Sequence, residues 1–200
     1  MRTDWYIFIG AGAFVGLYVY ACIFWCLFRY RRREQPQQFT GNTKLELLYT
    51  ALPILLVLAL FGVTFRIENP VDHVAANPAT TIAAIAYRWS WHFEYPGRIS
   101  SFGATAQPPT LYLPQGETTR IELTSTDVTH SFWVPAFLFK RDAIPGMTNA
   151  FDITPTRLGR FEGRCAQYCG LDHALMEFTV QVIPAAAYQR FLSSGGRVAP

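Results

Sequence analysis

"TTRIELTSTDVTHSFWVP", residues 118–135, decides how the larger part of this chain folds. In "RIELTS" the apolar Ile121 and Leu123 alternate with Arg120, Glu122 and Thr124. A period of two sends successive side chains to opposite faces of a strand, one buried and one wet. "HSFWVP" follows as a second strand-like run, with His130 at its head among aromatic residues. Working outward, Pro and Gly recur at short intervals from Pro78 to Gly116. Between and beyond them lie "TTIAAIAYRWSWHFEY", "TLYLP", "NAFDITP", "GRFEGRCA" and "EFTVQVIP", the last again alternating. Several short strands divided by turn residues predict a sandwich or barrel. The expected β domain covers 67–185, and "PAAAYQRFLSS" predicts a short helix, closed by Gly195, in a tail over 186–200.

The beginning of the chain is of another kind. Its 200 residues are 50% hydrophobic and only 16% charged, against a usual charged share of about 25%. The deficit sits in "WYIFIGAGAFVGLYVYACIFWCLF", residues 5–28, and "LLYTALPILLVLALFGVTF", residues 47–65, neither of which carries a charge. About 20 apolar residues cross a bilayer as a helix. The first run is too long for a leader peptide, and "RYRRR" follows it instead of a small-residue cleavage site. Residues 1–66 therefore predict a transmembrane helical hairpin, with spans over 5–28 and 46–65 and a basic loop over 29–44. Pro53, in mid-span, predicts a kink. Cys22 and Cys26, one helical turn apart, read as small hydrophobes on one helix face.

Arg29, Arg31, Arg32, Arg33 and Lys44 place the loop in the cytoplasm by the positive-inside rule. Everything after Arg66 is then delivered outside, from a multi-pass protein of a bacterial plasma membrane. From Arg66 onward 11 basic residues face 11 acidic ones, so the formal +3 belongs to the first 65 residues. That balance speaks against nucleic acid as a partner. Arg outnumbers Lys 15 to two and Ala is frequent, as in high-GC bacterial genes.

The chemistry is concentrated in "RCAQYCGLDHALMEF", residues 164–178, where Cys165, Cys169, His173 and Met176 lie at x₃, x₃ and x₂ spacing. Thiolate is a soft ligand suited to copper, zinc or iron–sulfur, and thioether favours copper. The spacing is neither that of a Cys/His zinc site nor the C-x-x-C-H of haem attachment. Outside the cytoplasm a disulfide is the alternative for the two cysteines, but it leaves His130, His173 and Met176 unexplained. His130, 35 residues upstream, supplies a further imidazole. Two cysteines are one thiolate too many for a blue-copper centre. Two thiolates shared between two coppers fit the set better, though spacing alone does not distinguish one metal from two.

"CAQYCGLDHALM", with "DVTHSFWVP" upstream, resembles the CuA-binding domain of cytochrome c oxidase subunit II, and the likeness runs over nearly the whole chain. "YRWSWHFEY" resembles that family's aromatic segment, "LPQGETTRIELTSTDVTHSFWVPAF" its ligand strand and "KRDAIPG" the loop after it. The resemblance implies two spans followed by a cupredoxin-like Greek-key β domain. It implies that His130, Cys165, Cys169, His173 and Met176 bind two copper ions through side chains and Gln167 through its carbonyl oxygen. His130 and Met176 would share one copper, His173 and the Gln167 carbonyl the other. Trp89 matches the position that receives an electron from a c-type cytochrome. Glu46, in "LELLYTALP", matches a glutamate at the mouth of a proton path into subunit I. Lys140 and Asp142 would approach subunit I, and subunit III is a further expected partner. The family usually has glutamate where Gln167 stands. A neutral amide is a poorer ligand for a hard cation, which weakens the expectation of magnesium at the subunit I interface.

The implied function is that of the electron-accepting subunit of a proton-pumping terminal oxidase, an oxidoreductase whose oxygen chemistry occurs in subunit I. A thioredoxin-like copper-delivery protein is the alternative. It predicts one span, alternating helices and strands, and no His-x₂-Met after the second cysteine. A copper-free quinol oxidase subunit would lack ligands, and none is missing. Trp91 reads as core, and His73 and His92 as surface or structural.

Overall fold

The structure, a computed structural model, describes residues 2–31 and 41–197. Arg32 and Arg33 of the basic loop, and tail residues 198–200, lie outside the described residues. The chain forms two compact units, Met1–Pro70 and Val71–Pro200. The first holds α1 (Arg2–Tyr30) and most of α2 (Thr43–Asp72). Both exceed the uncharged stretches that announced them, because polar ends extend a helix whose middle is apolar. α2 continues on both sides of Pro53. Their candidate spans, Trp5–Tyr30 and Thr43–Glu68, contain no fully buried residue. Large side chains such as Phe14, Leu17, Leu55 and Phe61 are turned outward. An unburied helix that is apolar all round suits a membrane anchor.

Among the described residues, the second unit is a β-sandwich of ten strands. The strands are β1 (Thr80–Tyr87), β2 (Ser90–Tyr95), β3 (Ile99–Phe102), β4 (Thr110–Pro114) and β5 (Thr119–Ser125) in the first half. In the second half they are β6 (His130–Val134), β7 (Phe139–Ala143), β8 (Asn149–Ile153), β9 (Gly159–Cys165) and β10 (Glu177–Ile183). One sheet has the order β3-β2-β1-β5-β8, the other β4-β10-β9-β6-β7. β1 pairs parallel with β5, and β4 with β10, while the other ladders are antiparallel. Long crossings between sheets are what a Greek-key sandwich requires.

The alternation of "RIELTS" is realised in β5, where Ile121 and Leu123 face inward and Glu122 outward. Trp91, Phe93, Phe132, Phe151 and Phe178 fill the space between the sheets with Ile82, Leu111 and Leu113. Phe178 lies at the centre, its ring 4.7 Å from Phe132, 5.2 Å from Trp91 and 5.6 Å from Phe93. Gly163 on β9 leaves room for it, since a Cβ there would meet the Phe178 ring at 2.2 Å. A final helix, α3 (Ala185–Ser193), tucks Tyr188 and Phe191 against the domain, Phe191 beside Tyr95 and Tyr112.

One run folds differently from its appearance. "TTIAAIAYRWSWHFEY" reads as continuous strand but turns back on itself at Arg88 and Trp89, pairing Tyr87 with Ser90. No Gly or Pro marks this turn. It is held from outside: the Asp127 carboxylate accepts the Arg88 backbone N–H at 2.8 Å.

Candidate metal centre

Strand pairing assembles the site. His130 opens β6 and Cys165 closes β9, and those strands are antiparallel neighbours with Phe132 opposite Cys165. β10 starts at Glu177, so the loop 166–176 leaves and re-enters one end of the sheet. Its neck is closed by Cys165 N–H to Met176 O, 2.9 Å, and Ala166 N–H to Ser131 O, 3.0 Å. A short 3-10 turn, His173–Leu175, then folds the loop inward. Residues 35 apart in sequence thus converge.

The sulfurs of Cys165 and Cys169 are 3.9 Å apart and both thiols are free. That separation is far beyond a disulfide bond of about 2.05 Å. It is within the roughly 4.6 Å that one metal can bridge at about 2.3 Å from each sulfur. Each sulfur has one imidazole: His130 Nδ1 lies 3.8 Å from Cys165, and His173 Nδ1 lies 3.4 Å from Cys169. The Gln167 carbonyl oxygen is 3.2 Å from Cys165, and Met176 sulfur is 3.8 Å from Cys169. Donor atoms of His130, Cys165 and Cys169 all fall within 4.8 Å of one another and are buried. Two thiols, two imidazoles, a thioether and a carbonyl form a soft donor set that fits copper.

Burial works against both thiolates. At Cys165 it is outweighed by the hydrogen bond to His130 and by backbone donors, and the thiol is shifted downward. At Cys169, burial and then the charge on Cys165 push the thiol up to about 12. Two negative sulfurs this close repel, and a bound cation removes that penalty.

Asp127 is the functional residue that sequence reasoning missed. His130 Nε2 lies 2.9 Å from Asp127 Oδ1, so the imidazole is held with Nδ1 toward the sulfurs. A carboxylate behind a ligating imidazole fixes its tautomer and orientation. Burial opposes charge on His130, yet the contacts with Cys165 and Asp127 shift it upward. Asp127 also resists burial. Donors from His130, Val128 N–H and Arg88 hold its carboxyl well below the usual range. The available signal was an acidic residue three positions before the histidine, at a turn between strands.

Trp89 sits at the tip of the β1–β2 turn. Its indole Nε1–H donates to the Cys169 carbonyl at 3.1 Å. The ring lies against Gly170, where a Cβ would meet it at 3.2 Å and where φ is +119°. Trp91, two residues on, is fully buried core. His92 packs against Phe102 and His73 is exposed, and neither joins the cluster. Lys140 and Asp142 lie on the edge strand β7. Glu46, on the helical unit, accepts the Asn42 N–H at 3.3 Å while Asn42 Oδ1 accepts from Leu45 N–H at 3.2 Å. That reciprocal pair caps α2.

A family profile described as cytochrome c oxidase subunit II, periplasmic domain, matches residues 101–183. Proteins named probable cytochrome c oxidase subunit 2 from Streptomyces avermitilis and Streptomyces coelicolor are 36% and 37% identical, over 88% of this chain and 69% of each relative. The chain belongs to the cytochrome c oxidase subunit II family. Subunit II is part of an oxidoreductase, a haem–copper oxidase, and the cluster of His130, Cys165 and Cys169 agrees with the copper that the family implies. The crystal structure of the periplasmic domain of subunit II from Bradyrhizobium japonicum shares its cupredoxin-like fold, with a TM-score of 0.55 and 28% identity over 61% of this chain and 96% of that one. A second such domain, solved as a mixed disulfide with a thioredoxin-like protein, gives 0.53 at 28% identity, over 62% and 94%. The two long apolar helices, the ten strands among the described residues and the His-x₂-Met of this subunit II run against the thioredoxin-like alternative.

Proposed function

We propose that this subunit II is the electron-accepting subunit of a proton-pumping terminal oxidase in a bacterial plasma membrane, with its β domain on the outer side. The observation that carries the reading is the pair of free thiols, 3.9 Å apart, each with its own imidazole. His130, Cys165, Gln167, Cys169, His173 and Met176 would hold two coppers, the thiolates and imidazoles being the strong donors and the Met176 thioether and the Gln167 carbonyl the weak ones. When bound, the copper pair supplies one-electron storage spread over two metals, linking a c-type cytochrome to haem in subunit I, where O2 is reduced to water.

The chain's own residues prepare that chemistry. Asp127 orients His130, and buried Met176 keeps water from the sulfurs. Trp89 offers an aromatic path hydrogen-bonded to the backbone of a ligand. Glu46, exposed at the start of α2, is available to pass protons toward subunit I. Gln167 presents a neutral amide where the family usually has a carboxylate, which weakens the case for magnesium. Subunits I and III and the bilayer complete the expected surroundings.

The test is reconstitution of residues 71–200 with copper, followed by metal analysis and visible and EPR spectra. Two coppers per chain with a purple mixed-valence spectrum are expected. One copper, a preference for zinc, or a Cys165–Cys169 disulfide that persists with reductant and copper would reject the reading.

A further inference from the structure

Arg88 is tied to the metal centre from the surface through two contacts. Its Nε donates to Asp127 Oδ2 at 3.2 Å, and Asp127 Oδ1 lies 2.9 Å from His130 Nε2. His130 Nδ1 in turn lies 3.8 Å from the Cys165 sulfur. Side-chain exposure falls along this line, from 51% at Arg88 to 21% at Asp127 and 0% at His130. The ion pairs of Arg120, Arg141 and Arg164 run elsewhere. Their carboxylates, on Asp152, Asp72 and Glu162, touch no donor of the cluster among the described residues.

The two oxygens of Asp127 serve different groups. Oδ2 accepts the Arg88 backbone N–H at 2.8 Å as well as its guanidinium. Oδ1 accepts Val128 N–H at 2.6 Å and faces the imidazole. A carboxylate behind a ligating imidazole draws on its N–H and makes the other ring nitrogen a more basic donor. A more basic donor favours the oxidised, more highly charged metal. A guanidinium on the far oxygen competes for the same negative charge, so less of it reaches His130. The Arg88 backbone N–H also holds Asp127. A change of the Arg88 side chain therefore alters the charge balance of the carboxylate without releasing it.

We propose that Arg88 is a positioning residue of the metal centre, which raises the reduction potential of the copper by sharing the Asp127 carboxylate with His130. This rests on the copper reading above and adds a residue that touches no ligand itself. An ion pair as exposed as this one contributes little to folding stability. A merely structural Arg88 would leave the potential and the state of the His130 proton unmoved.

The test has two readouts. In the assembled oxidase, an EPR-monitored redox titration gives the potential of the copper centre. Arg88→Gln is expected to shift its electron-sharing equilibrium about three- to tenfold toward oxidised copper, a fall of about 30–60 mV at about 59 mV per tenfold. Arg88→Lys keeps the charge and should recover most of that shift. In an Asp127→Asn background, where the carboxylate charge is gone, Arg88→Gln should move the equilibrium by less than about twofold. In the metal-free full chain in detergent, labelled at histidine, NMR reads the proton on His130 Nε2. Arg88→Gln should move that proton downfield, because its hydrogen bond to Asp127 strengthens. An unchanged or raised potential in Arg88→Gln overturns the proposal. So does an undiminished shift in the Asp127→Asn background, which would make the effect one of distance alone, or a Lys variant no better than Gln. Failure of the copper reading is distinguishable. The unaltered oxidase would then hold no copper in this chain, while an unmoved His130 proton would still refute the part given to Arg88.

Discussion

Replacing Asp127 with alanine is expected to loosen His130 first. The carboxylate receives His130 Nε2 at 2.9 Å, Val128 N–H at 2.6 Å, and Arg88 N–H and Nε at 2.8 and 3.2 Å. His130 is fully buried, so its Nε2–H would be left without a partner, at about 1–3 kcal/mol. Asp127 is itself 21% exposed, so water can replace part of what Val128 and Arg88 lose. A net loss of about 2–3 kcal/mol follows. Copper affinity should fall about 10- to 100-fold, the usual cost of removing the group behind a ligating histidine. Urea unfolding of residues 71–200, and competition for copper against a chelator, measure the two effects. Asp127→Asn keeps an acceptor oxygen and should recover much of the loss. The carboxyl is held below its ordinary 3.8 in the fold, so the unfolded chain binds its proton more readily. Its stabilisation is therefore complete near neutral pH and fades as pH falls below about 4. The gap between the unaltered domain and Asp127→Ala should narrow there. An alanine variant within about 0.5 kcal/mol of the unaltered domain at pH 7, with undiminished copper affinity, would refute the reasoning.

Met176→Leu replaces a fully buried thioether of similar volume and should cost less than about 1.5 kcal/mol. It should retain two coppers but shift their potential, read by redox titration; complete loss of metal contradicts a weak outer role. Phe178→Ala removes the ring around which Trp91, Phe93 and Phe132 pack. It should destabilise the domain by about 3–5 kcal/mol in urea unfolding, and a cost under about 1 kcal/mol would show the core to be organised otherwise. Glu46→Gln can still accept the Asn42 N–H, so α2 should keep its cap. Oxygen consumption by the assembled oxidase should nevertheless slow while the copper spectrum stays; an unchanged rate removes Glu46 from the proton path.

Much of the site was legible because its ligands are close in sequence and chemically unusual. Cys165, Cys169, His173 and Met176 share one loop, and no ordinary packing need explains soft donors at that density. The turn at Arg88 and Trp89 was not legible. It carries no Gly or Pro, and a carboxylate 39 residues away holds it. Asp127 was passed over for a related reason. Next to His130 in a motif it is one more acidic residue at a loop, and only the orientation of the buried imidazole gives it a task.

Sequence alone determined the two apolar helices, the β character of the later residues and the donors of the sulfur loop. These depend on uncharged length, on a two-residue period and on the chemistry of neighbouring side chains, all of which are local. Tertiary structure decided what those donors meet. His130 reaches Cys165 because β6 and β9 are antiparallel neighbours. Trp89 reaches the Cys169 carbonyl, 80 residues away, because a hairpin tip from one sheet closes over a loop of the other. Strand pairing and sheet packing are set by the collective burial of one core, and no short stretch of chain carries that information by itself.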